Sequence, residues 1–520
     1  MRRTLLAALV VVTLAGLVSP AAAVRGNAPE LGFALDEATM PDLQGRMARG
    51  ELDAVALTRA YLARIRSIDG KVGAVLEVDR GAIAQARRSD LRRRTGTLRG
   101  PLDGIPVLLK DNIDTRAMAT TAGSRALTGA RPLRDAHLVR RLRAAGAVVL
   151  GKANLSEWAN FRSTNATSGW SAVGGQTHNP HVLDRNPCGS SSGSAAAVAA
   201  SLAQVAIGTE TNGSIVCPAG ATGVVGHKPS LGLVSRTGVV PISAEQDTAG
   251  PIARHVVDAA ITLGVLQGRD PRDPATSAYP ADQPTDYAAH LRLDALRGAR
   301  IGVWRQAGLD PDVDRTMRST VRLLREQGAT VVDVSLDHQE EIGEHSLAAL
   351  LSEFHRDIEA YLRTRPGAPR TLEELIEFNR DDPVELSKFG QELFEQALVA
   401  PGTDDPGYRR QRAAATELAR RSLDDVIAAH DLDAIVSPTN GPAWRTSYGD
   451  GDDFLLGSST PAAVAGYPNV TVPAGFAGPL PLGVSFMTAR WQDARALGLA
   501  AAFERAADAR RAPSYLPGSG

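Results

Sequence analysis

Lysine is scarce in this chain: of its 57 basic residues only five are lysines, Lys71, Lys110, Lys152, Lys228 and Lys388, and arginine serves as the general surface cation. That scarcity excludes a serine nucleophile with a lysine base three residues later, because none of the five has serine at that spacing. Cysteine is rarer still, with Cys188 and Cys217 alone. No G-x-G-x-x-G run and no P-loop is present, which removes the usual nucleotide cradles and leaves the 50 glycines to turns and close packing. A formal net charge of −1 is not the balance of a nucleic-acid binder. Metal signals are equally thin. The run His338-Gln339-Glu340-Glu341-Ile342-Gly343-Glu344-His345 does not match the H-E-x-x-H spacing and reads as a solvated acidic helix or loop. Asp450-Gly451-Asp452-Asp453 lacks the remaining ligands of a twelve-residue calcium loop and reads as an exposed turn beside the substrate cleft. Neither a metal nor an organic cofactor is expected.

What the sequence does hold is serine in two dense stretches, Cys188-Gly189-Ser190-Ser191-Ser192-Gly193-Ser194 and Thr211-Asn212-Gly213-Ser214-Ile215. A serine hydroxyl is a poor nucleophile until a base takes its proton. Arginine cannot serve, since it is never deprotonated in a folded protein, whereas a desolvated lysine can. Lys110 follows Ile105-Pro106-Val107-Leu108-Leu109, an apolar run that reads as a buried strand ending at a turn. An ordinary lysine, with a pKa of roughly 10.4, is neutral in well under ~1% of molecules at pH 7, so burial has to lower that value for Lys110 to act as a base. The alternative is a lysine that closes a strand or pairs with Asp111 or Asp114.

A second hydrolase pattern overlaps the first stretch. Gly189-Ser190-Ser191-Ser192-Gly193 satisfies G-x-S-x-G with Ser191 as nucleophile, and that elbow requires a strand before it and a helix after it. The helix is expected over Ser194 to Val205. The strand is not, because Asp184-Arg185-Asn186-Pro187-Cys188 is turn-like and places a proline close to the serine.

The order of motifs resembles the amidase signature family. The likeness begins at Gly100-Pro101-Leu102-Asp103-Gly104-Ile105-Pro106 and Lys110, and passes through Gly151-Lys152-Ala153-Asn154-Leu155-Ser156-Glu157-Trp158, Thr177-His178-Asn179-Pro180 and the serine-rich loop. It then runs through Gly223-Val224-Val225-Gly226-His227-Lys228-Pro229 and Asp247-Thr248-Ala249-Gly250-Pro251 to Ala465-Gly466-Tyr467-Pro468 and Val472-Pro473-Ala474-Gly475. Within the family it is most similar to the bacterial peptide amidases, around Ser156–Phe161, Pro187–Ser192 and Gly208–Thr211. The resemblance implies Ser214 as nucleophile, Ser190 after a cis peptide bond as bridging serine, and Lys110 as base. It also implies an oxyanion hole from the backbone N–H groups of Thr211, Asn212, Gly213 and Ser214. The expected activity is hydrolysis of the C-terminal carboxamide of peptides through an acyl-enzyme. A broader acyl-amide or aryl-amide hydrolase is the alternative, and an inert binding protein on an amidase scaffold is the alternative from another class. The glutaminase component of a tRNA-dependent amidotransferase also belongs to the family, and export argues against it. The expected partner is a small-molecule or short-peptide amide, with no nucleic acid, no membrane after signal cleavage, and a monomeric protein.

Three positions depart from the family pattern: Cys188 where glycine is usual, Asn212 where glycine or aspartate is usual, and Val216 where arginine is common. His227 replaces an apolar residue, and its place 13 residues after Ser214 raises a Ser-His pair; a structural histidine is the expectation. Cys188 and Cys217 flank the two serines at nearly matched offsets, so loops that meet would bring them within reach of a disulfide in an oxidising compartment. Two small buried thiols are the alternative.

Arg2 and Arg3 precede an apolar run from Leu5 to Val18, followed by Ser19-Pro20-Ala21-Ala22-Ala23. This predicts a signal peptide over residues 1–23 and an exported bacterial protein, secreted or periplasmic, with the twin-arginine route open. A retained anchor is the alternative; the run's 14 residues fall short of the about 20 that a span needs. Losing two arginines takes the formal charge from −1 to about −3.

Residues 24–520 are read as one α/β domain, in which the resemblance implies a mixed β-sheet covered by helices on both faces. A small helical region occupies about residues 36–70, the signature core about 100–265 and the closing segment about 430–510. Leu57, Tyr61, Ile65 and Ile68 form a helical stripe, and Leu138 and Leu142 mark a helix ending near Gly146 before a strand over Ala147 to Leu150. Ile301 to Trp304, a helix striped at Val313, Met317, Val321 and Leu324, and Thr330 to Val334 make a strand-helix-strand unit. The proline-rich stretch Asp270 to Pro284 reads as a surface loop within the domain.

Overall fold

A computed structural model describes residues 31–518, so the signal-peptide reading lies outside the described residues. The amphipathic stripe at Leu57, Tyr61 and Ile65 becomes the buried face of the helix Ala54–Val72. Asp53 starts that helix by accepting the Ala56 N–H, which satisfies one of the donors a first turn leaves open. The helix Met40–Ala48 precedes it with a reciprocal cap between Thr39 and Asp42.

Thirteen strands form among the described residues: β1 (Val75–Val78), β2 (Pro106–Lys110), β3 (Val148–Ala153), β4 (Trp170–Ser171), β5 (Gly175–Gln176), β6 (Val205–Glu210), β7 (Val225–Lys228), β8 (Thr248–Ala253), β9 (Arg300–Val303), β10 (Thr330–Asp333), β11 (Ala434–Pro438), β12 (Asn469–Ala477) and β13 (Leu480–Met487). β4 and β5 make a small ribbon. The other eleven form one mixed sheet in the order β1-β3-β2-β6-β8-β7-β12-β13-β11-β9-β10, flanked by helices. β2 runs parallel to both β3 and β6, and β9 runs parallel to both β10 and β11; the remaining pairs are antiparallel. Every residue of β2, β3 and β6 is buried, as in strands covered on both faces.

The strand-helix-strand unit forms as β9, the helix Pro311–Glu326 and β10, with Asp310 capping the helix through the N–H groups of Asp312 and Val313. The strand after Gly146 is longer than its apolar run predicts, extending to Ala153 because Lys152 finds buried partners. The helix after the serine-rich loop spans Ser192–Ala199 rather than Ser194 to Val205. Ser201, at φ 52°, turns the chain, and the N–H groups of Ser201 and Leu202 close the helix on the carbonyls of Val198 and Ala197. Val205 is thereby released to open β6. The proline-rich stretch is only partly a surface loop. Asp270 accepts the Ser235 hydroxyl at 2.8 Å and Asp273 pairs with Arg236 at 2.6 Å, so its first half is anchored, while residues 280–286 are half-buried or exposed.

Candidate active site

Lys110 is the last residue of β2, at the carboxyl end of a strand flanked by two parallel neighbours, where open α/β sheets place their ligands. The side chain is fully buried. Its Nζ lies 2.7 Å from Ser190 Oγ, 2.9 Å from Thr209 Oγ1 and 3.3 Å from the Thr209 carbonyl. Burial is the dominant influence on Lys110 and brings its pKa down to about 7, with the negative charges of Asp247 and Glu210 resisting the shift. A neutral amine fits these three partners. Two N–H groups go to Thr209, and the lone pair faces the Ser190 hydroxyl and can take its proton. Asn112 Nδ2 donates to the same Thr209 hydroxyl at 2.9 Å, fixing its orientation.

The pairing of Lys110 with Asp111 or Asp114 does not form. Asp111 lies 3.0 Å from Lys152 Nζ, which also donates to the Ile113 carbonyl and to Thr120 Oγ1, and Asp114 accepts the Tyr361 hydroxyl at 2.8 Å. Buried Lys228 donates to the Pro229 carbonyl at 2.9 Å.

Ser190 follows a cis peptide bond from Gly189. A β-carbon on Gly189 would lie 2.2 Å from Ser156 Oγ, so the close approach of the two loops requires glycine there. Ser190 is held by its carbonyl, which accepts the Ser156 N–H at 3.0 Å, and the next residue is held to the second serine stretch, Ser191 N–H donating to the Ser214 carbonyl at 3.1 Å. The loops of Ser190 and Ser214 are thus joined by one main-chain bond, from Ser191 to Ser214. Ser191 points elsewhere. Its hydroxyl donates to the Thr209 carbonyl at 3.1 Å and accepts the Thr209 N–H at 3.2 Å, which ties the loop to the end of β6. No strand precedes it; residues 186–188 are irregular. The elbow reading lacks its geometry. Ser190→Ala is expected to lower turnover at least tenfold more than Ser191→Ala in parallel rate measurements, with ~1 kcal/mol of stability lost in the latter; the reverse order of activities would restore Ser191 as the reacting group.

The segment Thr211–Ser214 is clamped from several sides. Thr211 Oγ1 donates to Asp247 Oδ1 at 2.5 Å, and Gln246 Nε2 donates to the Thr211 carbonyl at 2.8 Å. Asn212 Oδ1 accepts the Ser459 hydroxyl at 2.7 Å, and its Nδ2 donates to Thr460 Oγ1 at 3.1 Å, so this departure from the family pattern ties the loop to the closing segment. Gly213 has φ 80°, where a side chain is strained. Glu210 Oε2 accepts the N–H groups of Ile215 and Val216 and holds the chain as it enters the helix Val216–Ala221. Among the described residues, none of the N–H groups of Thr211, Asn212, Gly213 and Ser214 donates a hydrogen bond, which leaves four donors on one short loop. Burial raises the Asp247 carboxyl to about 6, against the bonds from Thr211, Ser243 and Ile242 that favour its ionised form.

Sequence reasoning passed over Thr209, Glu210, Gln246 and the individual role of Asp247. Each acts through a contact distant in the chain or through the backbone, and the Gly208–Thr211 and Asp-Thr-Ala-Gly-Pro runs marked the region without giving these residues roles. His227 is fully buried and lies 3.2 Å from Oδ1 of Asp493, the first residue of the helix Asp493–Ala507, so its partner is a carboxylate and not a serine. The acidic run at 338–345 opens the helix Gln339–Leu362, with His338 beside Glu341 at 2.9 Å. Asp452 is not a free turn residue: it accepts the Ser168 N–H at 3.1 Å and Trp444 Nε1 at 3.2 Å, anchoring the 441–458 loop.

Cys188 and Cys217 form a disulfide with Cα atoms 6.0 Å apart, packed against Ala221 and Trp444. Cys188 has φ 60°, a left-handed conformation that explains why glycine suits this position. The bridge spans 29 residues and joins the two serine loops. Denatured, unreduced protein is expected to show no titratable thiol, and replacing both cysteines by alanine to cost about 3–4 kcal/mol on unfolding in denaturant. Two thiols in the unreduced sample would contradict the bridge.

A family model described as Amidase matches residues 56–497. The native peptide amidase from Stenotrophomonas maltophilia is 50% identical, with a TM-score of 0.87, covering 92% of this chain and 99% of that one. A probable amidase from Arabidopsis thaliana is 39% identical over 93% of each chain. A glutamyl-tRNA(Gln) amidotransferase polypeptide from Salinispora arenicola is 39% identical, over 89% of this chain and 96% of the relative. With a buried lysine beside a serine, a second serine on an adjoining loop with four uncommitted N–H groups, and this match over most of its length, the chain belongs to the amidase signature family of hydrolases.

Proposed function

We propose that this amidase hydrolyses the C-terminal carboxamide of peptides to the free acid and ammonia, with Ser214 as nucleophile, Ser190 as bridge and Lys110 as base. The observation that carries the mechanism is the 2.7 Å separation of Lys110 Nζ and Ser190 Oγ in full burial. Ser214 Oγ forms a bond to the amide carbonyl carbon while its proton passes to Ser190 Oγ, whose own proton passes to neutral Lys110. The carbonyl π pair moves onto oxygen, and the N–H groups of Thr211, Asn212, Gly213 and Ser214 receive that charge. On collapse the C–N bond breaks, and the proton held by Lys110 returns through Ser190 to the leaving nitrogen as ammonia. Water then attacks the acyl-enzyme by the reverse relay and frees Ser214.

The carboxamide preference is supported by the half identity to a peptide amidase over nearly the whole chain. An amidotransferase role, as the Salinispora arenicola relative's description has it, would require glutamyl-tRNA(Gln). The N-terminal export pattern argues for a site away from that partner, and a disulfide joining the serine loops is of the kind that persists in oxidising compartments. Export to the periplasm or medium is therefore part of the proposal.

The test is ammonia release from a short peptide carboxamide, beside the same peptide as free acid and a simple acyl anilide. Ammonia from the carboxamide with internal bonds intact is the expected result. Turnover of the anilide alone would move the reading to a general acylamide hydrolase, with the same relay.

A further inference from the structure

We infer that Gln246, held in one orientation by Arg412 and Glu353, is a positioning residue that aims the Asn212 N–H at the reacting carbonyl oxygen. The inference rests on the reading of Thr211–Ser214 as the oxyanion loop and names what sets its direction. Gln246 is buried and both ends of its amide are used. Nε2 donates to the Thr211 carbonyl at 2.8 Å, while Oε1 accepts Arg412 NH1 at 2.9 Å and the Ser346 hydroxyl at 3.3 Å. A carbonyl can only accept and a guanidinium can only donate, so one of the two amide orientations satisfies both neighbours and the other satisfies neither.

Arg412 is itself fixed. It meets Glu353 as a fork, with Nε 2.6 Å from Oε1 and NH2 2.5 Å from Oε2. Glu353 is fully buried and also accepts the Ser243 hydroxyl at 2.6 Å and the Tyr408 hydroxyl at 2.9 Å. Glu353 comes from the helix Gln339–Leu362 and Arg412 from the helix Pro406–His430, so two long helices outside the serine loops converge on one side chain.

The effect on the reaction follows from peptide geometry. The Thr211 carbonyl and the Asn212 N–H belong to one planar unit, which is trans, so the two bonds point in opposite directions. Gln246 draws the carbonyl to one side and thereby turns the N–H to the other. Loss of the Gln246 bond removes the contact on that peptide's own carbonyl and loosens its orientation, while the side chains of Thr211 and Asn212 keep the loop in place. The donor is then misdirected when negative charge develops on the carbonyl oxygen, although a neutral substrate still binds.

The experiment uses the full chain with Gln246→Leu, Arg412→Met and Arg412→Lys, a short peptide carboxamide as substrate, and a peptide aldehyde labelled with carbon-13 at the aldehyde carbon. The aldehyde adds Ser214 Oγ and places a hemiacetal oxygen where the oxyanion forms. For Gln246→Leu, kcat is expected to fall roughly tenfold to a hundredfold with KM within about threefold, and aldehyde affinity to fall in step with kcat. The pH at which the hemiacetal ionises, read from the carbon-13 shift, is expected to rise. Arg412→Met should show the same pattern, and Arg412→Lys should recover part of it by restoring a donor to Gln246 Oε1. A wild-type kcat in Gln246→Leu, or an unchanged ionisation of its hemiacetal, overturns the inference while leaving the oxyanion loop in place. A wild-type adduct that never ionises removes the loop reading itself, and this inference with it.

Discussion

Ser214→Ala is expected to lower kcat on a peptide carboxamide by roughly 10⁵ to 10⁶-fold, which is about 7–8 kcal/mol of lost barrier reduction. On the proposed mechanism the substitution removes the atom that bonds to the substrate carbonyl, and it leaves the loop contact intact, because the Ser214 group that meets Ser191 is the backbone carbonyl. The variant should therefore unfold within about 0.5 kcal/mol of the parent. It should also fail to label with a fluorophosphonate that modifies the parent. Retained turnover at a tenth of the parent rate would move the nucleophile to another residue. A parent protein that neither turns over an amide nor labels would favour the inert-scaffold reading.

Lys110→Ala carries the second large effect, a loss of roughly 10³ to 10⁴-fold in kcat/KM near neutral pH. Its pH profile is the sharper test. The base works only when neutral, and Lys110 passes from ammonium to amine at about 7, so activity of the parent should rise with pH through that value and level off above it. In Lys110→Ala that inflection should vanish, and part of the activity should return at high pH, where hydroxide can remove the proton directly. An inflection near 7 that survives in the variant would belong to a different group. Asp247, raised to about 6 by burial and acting on Lys110 through its charge, would appear as a lower step.

Much of this site was legible because its chemistry depends on residue types that are rare or contiguous. Lys110 stood out as one of five lysines following an apolar run, and burial of every β2 residue is what that run dictated. Ser190 and Ser214 came with their flanking motifs, and the helix Pro311–Glu326 with its apolar stripe. Other features were not legible because their causes lie elsewhere in the chain. The bridge between Cys188 and Cys217 was left open, since offset matching says nothing of whether loops meet. The helix after the serine loop was placed too late and too long, since a wholly buried run of small residues has no period to mark its ends. Gln246 and Arg412 meet across 166 residues, and Asp452 and Ser168 across 284, so local pattern could announce neither.

The strand order has a consequence for synthesis. The first six strands of the sheet order, β1-β3-β2-β6-β8-β7, all come from residues 75–253, and the last five, β12-β13-β11-β9-β10, all come from residues 300–487. The seam between them is one antiparallel pairing, β7 with β12. Lys110, Ser190 and Ser214 all lie in the part of the chain that supplies the first half-sheet, whereas Arg412 and the Ser459 and Thr460 hydroxyls that support the loop before Ser214 come from the distal part. A chain still being made therefore lacks part of the scaffold of that loop until its distal half has been added.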